Sequence, residues 1–293
     1  MDLDIAGFRQ RTVEKILARQ DASFRWGYDE KQARARPDYL YYSPNFRSTL
    51  WTLLLLADIQ APVDIPRIEP SLRLVNERFY DPEYGIFRLP GMSHFPIPCL
   101  NGNMLYLNHY FKASRPDTVE KTVGFFAATQ RFDDGGSASP GSHPYSSNTS
   151  CYGRHTCYWG VTKLLKGISF IPKPQRSAQA QRLLDNCIAF VLQHEVCFRS
   201  HAGDEFLHRD IGRLTFPNFY KSDFLEILWL LAREGVHDAK MSRSLDLLLS
   251  RMKDCGTWEL EKSLNIVEPI GRPGCANPFI TERAAAVLDY YGR

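Results

Sequence analysis

Five times along this chain an amphipathic stretch ends at a Gly-containing turn, and a second, more apolar stretch of helical period begins at a polar residue. The second stretches start near Asn45, Asn101, Cys151, Ser222 and Asn277, so successive starts lie 56, 50, 71 and 55 residues apart. A recurrence of that length marks a supersecondary unit that cannot bury its apolar face alone and must stack on its neighbours. Strand-like alternation is scarce. The pattern therefore predicts an all-α chain made of helix pairs in series.

The first pair joins Asp4–Arg19, where Ile5, Phe8, Val13, Ile16 and Leu17 fall at helical spacing, to Phe46–Ile59. The second joins Ile65–Tyr80 to a helix from Cys99 to about Phe111, and the third joins Thr118–Arg131 to one from about Cys151 to Ile168. The fourth joins Ser177–Phe198 to Asp223–Arg233, and the fifth Ala239–Lys253 to Asn277–Tyr291. The turns after the first helices are related: Gln20-Asp-Ala-Ser-Phe-Arg-Trp-Gly, Gln130-Arg-Phe-Asp-Asp-Gly-Gly, Met252-Lys-Asp-Cys-Gly-Thr-Trp and the looser Tyr80-Asp-Pro-Glu-Tyr-Gly. Gly supplies the left-handed conformation that ends a helix, Asp tolerates the turn, and the aromatic can pack back on the pair.

Helix pairs in series build an open solenoid or a closed ring. The second helices are the more apolar, Leu53-Leu-Leu-Leu-Ala above all, which favours a ring with an inner wall of second helices and an outer wall of first helices. No interior stretch resembles a domain linker, so residues 1–293 are expected to form one domain. Closure would bring five helix starts to one mouth, carrying Arg47, Cys99, Cys151, His155, Asp223 and Thr281. The Gly135–Asn148 loop and the Ser200–Phe219 loop, which holds His201 and His208, would lie over it.

Composition narrows the function. Hydrophobic residues at 44% and charged residues at 24% suit a globular protein, and aromatics at 13% suit wide helix interfaces or an apolar pocket. The net charge of +3, without a run of five like charges, argues against nucleic acid as a partner and against a polybasic membrane patch. The short basic stretch Lys31–Arg36 is expected to be a solvated loop. The apolar run Leu53–Ala57 is too short to span a bilayer, so no transmembrane segment is expected. The acidic start Met1-Asp-Leu-Asp lacks the features of a signal peptide, and a cytoplasmic location is expected. Seven cysteines, an odd number at irregular spacing, are expected as free thiols, with Cys187 and Cys197 in the core.

The Gln-x-x-x-Asp-Gly-Gly turns resemble the repeat motif of terpenoid cyclases and protein prenyltransferases, over most of the chain. The resemblance implies a single α/α toroid of about five helical hairpins and an apolar, isoprenoid-like substrate. The protein prenyltransferases of that group pair with a separate α subunit; a protein partner or a homo-oligomer is left open here. The run Tyr152-Gly-Arg-His-Thr-Cys-Tyr158 resembles the His-Thr-Cys-Tyr stretch of farnesyltransferase β subunits, whose His binds zinc. Cys151-Tyr-Gly-Arg resembles the Cys-Tyr-Gly segment of lanthionine cyclases, also zinc toroids. The chain departs from both: Ile97 stands two residues before Cys99 where farnesyltransferases have Asp, and the lanthionine cyclase Cys-His pair is missing. The Asp-x-Asp-Asp acid of class II terpene cyclases is also missing, and Asp133-Asp134 reads as a turn former.

Cys151 and His155 are four apart, which on a helix puts a thiolate and an imidazole on one face, a combination suited to zinc. With Cys99 at the previous helix start and Asp223 at the next, the expected Zn²⁺ ligands are Cys99, Cys151, His155 and Asp223 or a water. His201 and His208 are alternative fourth ligands, and Cys157 is expected to point elsewhere. His155 and Asp223 are the candidate catalytic groups. Arg47 and Arg154 are candidates to hold a diphosphate or carboxylate. Trp51, Tyr158, Tyr220 and Asn101, with Tyr41 and Tyr42, are candidates for the substrate wall. The expected activity is zinc-dependent prenyl or alkyl transfer through an activated thiol or water. Two alternatives stay open: a metal-independent cyclase or isomerase using Asp58, Asp223 or Glu226 as acid, and a non-catalytic binding scaffold with structural zinc.

Overall fold

The computed structural model describes residues 4–27, 46–89 and 95–293, so Tyr41, Tyr42, Asn45 and the 31–36 stretch lie outside the described residues. Among the described residues the helices are α1 (Ile5–Ala18), α2 (Thr49–Asp58), α3 (Ile68–Phe79), α4 (Pro98–Tyr110), α5 (Pro116–Thr129) and α6 (Thr149–Tyr152). They continue with α7 (Tyr158–Ser169), α8 (Ala178–Gln193), α9 (Phe224–Glu234), α10 (Ser242–Ser250) and α11 (Pro278–Tyr290). A two-stranded antiparallel hairpin, β1 (Tyr80–Asp81) with β2 (Ile86–Phe87), pairs Tyr80 with Phe87. Among the described residues the structure is all-α apart from that hairpin and four isolated β-bridges.

Burial separates the two members of each pair. Every residue of α2 is buried, as is Gly160–Ser169 of α7. By contrast α1 buries only Thr12, Val13 and Ile16, and α10 only Ser244, Leu245 and Leu248. Caps fix the starts. Ser177 accepts from the Ala180 amide at 3.1 Å, and Asn277 from the Phe279 and Ile280 amides, each at 3.1 Å.

One hydrogen bond recurs between the turn after a first helix and the start of the second. The Trp26 amide donates to Thr49 Oγ1 at 3.3 Å, and the Trp258 amide donates to Thr281 Oγ1 at 3.0 Å. The Asp133 amide donates to Thr156 Oγ1 at 2.9 Å, and the Phe87 amide to Asn101 Oδ1 at 2.7 Å. In the two tryptophan turns the indole N–H also reaches back to the first helix, to the Ile16 carbonyl at 2.8 Å and to the Leu248 carbonyl at 2.9 Å. The sequence recurrence is therefore a recurrence of bonds. It also gives Asn101 and Thr281 structural roles: Asn101 is wholly buried and bonds the Phe87 backbone through both N–H and C=O.

Helices α4, α7 and α9 lie side by side in the same direction. Pro98 of α4 faces Gly160 of α7, and a Cβ on Gly102 would sit 2.1 Å from the Lys163 carbonyl oxygen, so only glycine permits this close crossing. Further along, Thr162 meets Ser222 at 2.8 Å just before α9, and Phe170 meets Trp229 within it at 5.9 Å between ring centroids. The first pair also meets the last: Arg9 of α1 bonds Glu282 of α11 at 2.6 Å and the Ile59 carbonyl, just past α2, at 2.7 Å.

Between the second helices lies a charged network. Lys163 contacts Glu226 at 2.5 Å, while Lys166 contacts Glu226 at 2.8 Å and Asp58 at 2.6 Å, with all four side chains fully buried. The Asn218 amide donates to Asp58 at 3.3 Å, and Arg283 donates to the Asn218 side chain at 3.3 Å. Lys166 also stands 4.2 Å from the Tyr106 ring centroid. All five second helices contribute side chains, so the interior expected as an apolar wall is filled by ion pairs. Two lysines outweigh the burial that alone would raise Glu226, and hold its carboxyl low. Glu226 is thus not a ready proton donor of the kind a cyclase needs.

Two expected helices differ. The stretch expected to run from Cys151 to Ile168 breaks after Tyr152 and restarts at Tyr158. Gly153 takes an extended conformation at the break, and His155 pairs as an isolated bridge with Asp134. Helix α8 stops at Gln193 because Glu195 and Val196 both take positive φ.

Candidate functional site

The break before α7 opens a cleft of about 740 Å³. Its floor and walls come from the turn after α5, the α6–α7 segment, the end of α8 and the loop that follows it. Tyr158, Trp159, Phe190, Leu207 and Ile211 supply an apolar side, and Asp134, His155, His194 and His201 a polar one.

Asp134 is positioned by the repeat turn. Its neighbour Asp133 does the turn's work, accepting from the Gly135 amide at 2.8 Å, while Gly135 takes φ +91°. That positive φ favours glycine, and a Cβ there would lie 2.4 Å from the His155 ring, which would have to turn aside. Asp133 is thus the turn former the sequence suggests, but Asp134 is not: it faces the cleft.

Three imidazoles converge on that carboxylate. His155 Nδ1 lies 3.5 Å from Oδ1, and His201 Nε2 and His194 Nε2 lie 3.2 Å and 4.0 Å from Oδ2. The Ser200 hydroxyl donates to Oδ2. Burial alone would raise the Asp134 pKa, but the Ser200 hydroxyl and the three imidazoles hold it below its ordinary range. His194 caps the end of α8 and packs against Tyr158 and Phe190 at 5.3 and 4.8 Å between centroids. It is 2% exposed, and neither ring nitrogen has a hydrogen-bond partner. An unpaired buried polar group costs about 1–3 kcal/mol. Burial also pushes the His194 pKa down. Among the described residues no group of three or more His, Cys, Asp or Glu side chains could hold a metal ion.

The four expected zinc ligands are divided. Both Asp223 oxygens are engaged, Oδ1 by the Glu226 amide at 2.8 Å and Oδ2 by the Thr215 amide at 2.7 Å. Asp223 is buried, which raises its pKa to about 6. It caps α9 and does not line the main cleft. His155 turns to Asp134, because the helix break removes the four-residue register with Cys151 on which a shared face depends. Cys99, Cys151 and Cys157 lie within electrostatic reach of one another. The interaction between the Cys151 and Cys157 thiols raises the Cys151 pKa and lowers that of Cys157, which stands at the start of α7. Cys99 is pushed up to about 12 by burial and by the nearby Cys157.

The expected substrate residues also divide. Arg154 and Tyr158 line the cleft, with Arg154 anchored to the Gly135 carbonyl at 2.7 Å and the Tyr158 hydroxyl donating to the Val196 carbonyl. Trp51 is 2% exposed and packs on Phe46 and Phe219, so it is core. Tyr220 is half-buried beside them in a separate 250 Å³ pocket, and Arg47 is exposed at the start of α2. His208 stacks edge-on against Trp159 and accepts from the Asp210 amide at 3.1 Å.

Sequence reasoning missed Asp134 and His194. The tandem Asp133-Asp134 was the available signal for the first, since one aspartate suffices for the turn. Nothing local marks His194, whose environment depends on the positive-φ turn that follows it. No family model matches the chain, and no curated protein matches it. No helix among the described residues is long and apolar enough to cross a membrane.

Proposed function

We propose that the chain is a single α/α toroid and that it is an enzyme acting on an apolar substrate in the cleft beside α7. Closure is supported by the order of packing, in which α2 meets α4, α4 meets α7, α7 meets α9, α9 meets α11, and α11 meets α1. The bonds of Arg9 to Glu282 and to the Ile59 carbonyl tie the two ends together. Because the centre is filled by the lysine–carboxylate network, the substrate belongs in the side cleft and not on the axis.

The observation that carries the reading is the placement of Asp134 and its three histidines opposite an apolar wall in one cleft. Such a cluster can lower the cost of deprotonating a water or a thiol. The reaction that fits is alkyl or prenyl transfer. The acceptor sulphur or oxygen bonds to the substrate carbon, the carbon–oxygen bond to diphosphate breaks, and diphosphate departs with the electron pair. The acceptor proton passes to solvent through the cluster. Arg154 at the rim suits an anionic leaving group.

The test is incubation of the protein with labelled prenyl diphosphates and thiol or water acceptors. The reading expects labelled product, with the rate falling about 100-fold or more in Asp134→Asn. Folded protein that yields no product with any of these substrates would overturn it.

A further inference from the structure

We infer that the smaller pocket at the start of α9 binds a small carboxylate with an apolar body. The pocket encloses about 250 Å³, room for about eight water molecules. Among the described residues none lines both this pocket and the cleft beside α7. Phe46, Phe219 and Tyr220 form its apolar side, and Asn218, Lys221 and Lys262 stand on its polar side.

The polar side carries unspent donors. Asp210 Oδ2 lies 2.8 Å from Lys262 Nζ and 3.5 Å from Lys221 Nζ, so two ammonium groups share one carboxylate oxygen, with His208 Nδ1 at 3.8 Å. Neither lysine is a loose surface chain. Each side chain is 33% exposed. Lys262 pairs as a bridge with Thr215, and Lys221 Nζ stands 4.7 Å from the Trp159 ring centroid. Asn218 is 2% exposed, and its Nδ2 has no hydrogen-bond partner among the described residues. Its Oδ1 accepts from Arg283 at 3.3 Å, which fixes the amide and leaves its N–H groups unused. A buried donor without a partner is uncommon in a folded protein and calls for an acceptor. Asp223 also lines the pocket, but the Glu226 and Thr215 amides hold both of its oxygens.

The chemistry of the occupant follows from those donors. Lys221 and Lys262 against Asp210 leave one positive charge, which matches a monoanion better than a phosphate dianion. A carboxylate accepts charge-assisted bonds from both ammonium groups. Opposite them the Phe46 ring packs on Phe219 and Tyr220 at 5.3 and 5.8 Å between centroids. Aromatic surface beside a few polar groups is the usual make-up of a small-molecule site. The carboxylate takes the lysine donors, and an aryl or short alkyl body lies on the rings.

The test is titration of the full chain with phenylacetate, followed by calorimetry, with intermolecular NOEs to locate the ring. The expected result is one site with a Kd of about 1 mM or tighter and ring contacts to Phe46 and Tyr220. Lys221→Met and Lys262→Met should each weaken binding about tenfold or more, and the neutral phenylacetamide should bind weaker by a similar factor. Both lysines are partly exposed, so these variants keep the test decisive if Asn218→Leu fails to fold. Acetate should bind more weakly than phenylacetate, because it lacks the apolar body. No binding at about ten times that Kd, or equal affinity in the parent and both lysine variants, would overturn the site. Equal affinity for phenylacetamide, or ring contacts to Tyr158 in the main cleft instead, would also overturn it. None of these results depends on turnover in the main cleft.

Discussion

Lys166 Nζ lies 2.6 Å from Asp58 Oδ1 with both side chains fully buried, so an ion pair joins the last turn of α7 to the end of α2. Glu226 shares the same ammonium at 2.8 Å. Removing one partner from such a set leaves an uncompensated buried charge. Lys166→Met should therefore destabilise the fold by about 3–5 kcal/mol in chemical denaturation. Combining it with Asp58→Leu should cost clearly less than the sum of the two single changes. Additive costs, or a single-variant cost near zero, would contradict the network.

The close crossing of α4 and α7 gives a second prediction. Gly102→Ala would place a methyl 2.1 Å from the Lys163 carbonyl oxygen, and backbone cannot swing aside as a side chain can. The expected loss is about 3 kcal/mol, read as a lower denaturation midpoint. Gly141→Ala, where an added Cβ meets nothing within 4 Å, should change stability by less than about 0.5 kcal/mol.

Asp223 sets a pH dependence. Burial raises its pKa from 3.8 to about 6. Between those values the folded state binds a proton that the unfolded state does not, so this group's contribution to stability falls as pH rises through the window. Asp223→Asn removes that slope. The stability difference between parent and variant should move in the variant's favour by about 2 kcal/mol between about pH 4.5 and 7. A flat or opposite drift would show that the two backbone amides on Asp223 outweigh its burial.

The repeat equivalence of Trp26 and Trp258 is testable by matched substitution. Each indole N–H reaches a helix carbonyl, at 2.8 and 2.9 Å. Trp26→Phe and Trp258→Phe should each lose about 1–3 kcal/mol, similar to one another, by the same denaturation measurement. A large cost at one position and none at the other would argue against equivalent units.

The pairs of helices were legible because each carries its own period, turn and cap. The turns before Thr49 and Thr281 look alike in sequence and make the same bonds in space. What the sequence could not resolve was where a polar residue ends up when its neighbours come from distant segments. Lys163 and Lys166, for example, are buried against carboxylates from α2 and α9. The Cys151–His155 spacing pointed to a shared helix face, and the break at Gly153 removed it. His155 lies in the break before α7 and lines the cleft. Its companions Asp134 and His194 are reached only through the folded turns after α5 and α8.

Assay of labelled prenyl diphosphates with thiol and water acceptors, in parent and Asp134→Asn protein, tests the central claim most directly. The account predicts labelled product from the parent and a rate about 100-fold or more lower in the variant. Folded parent protein that yields no product, or an unchanged rate in Asp134→Asn, would contradict it.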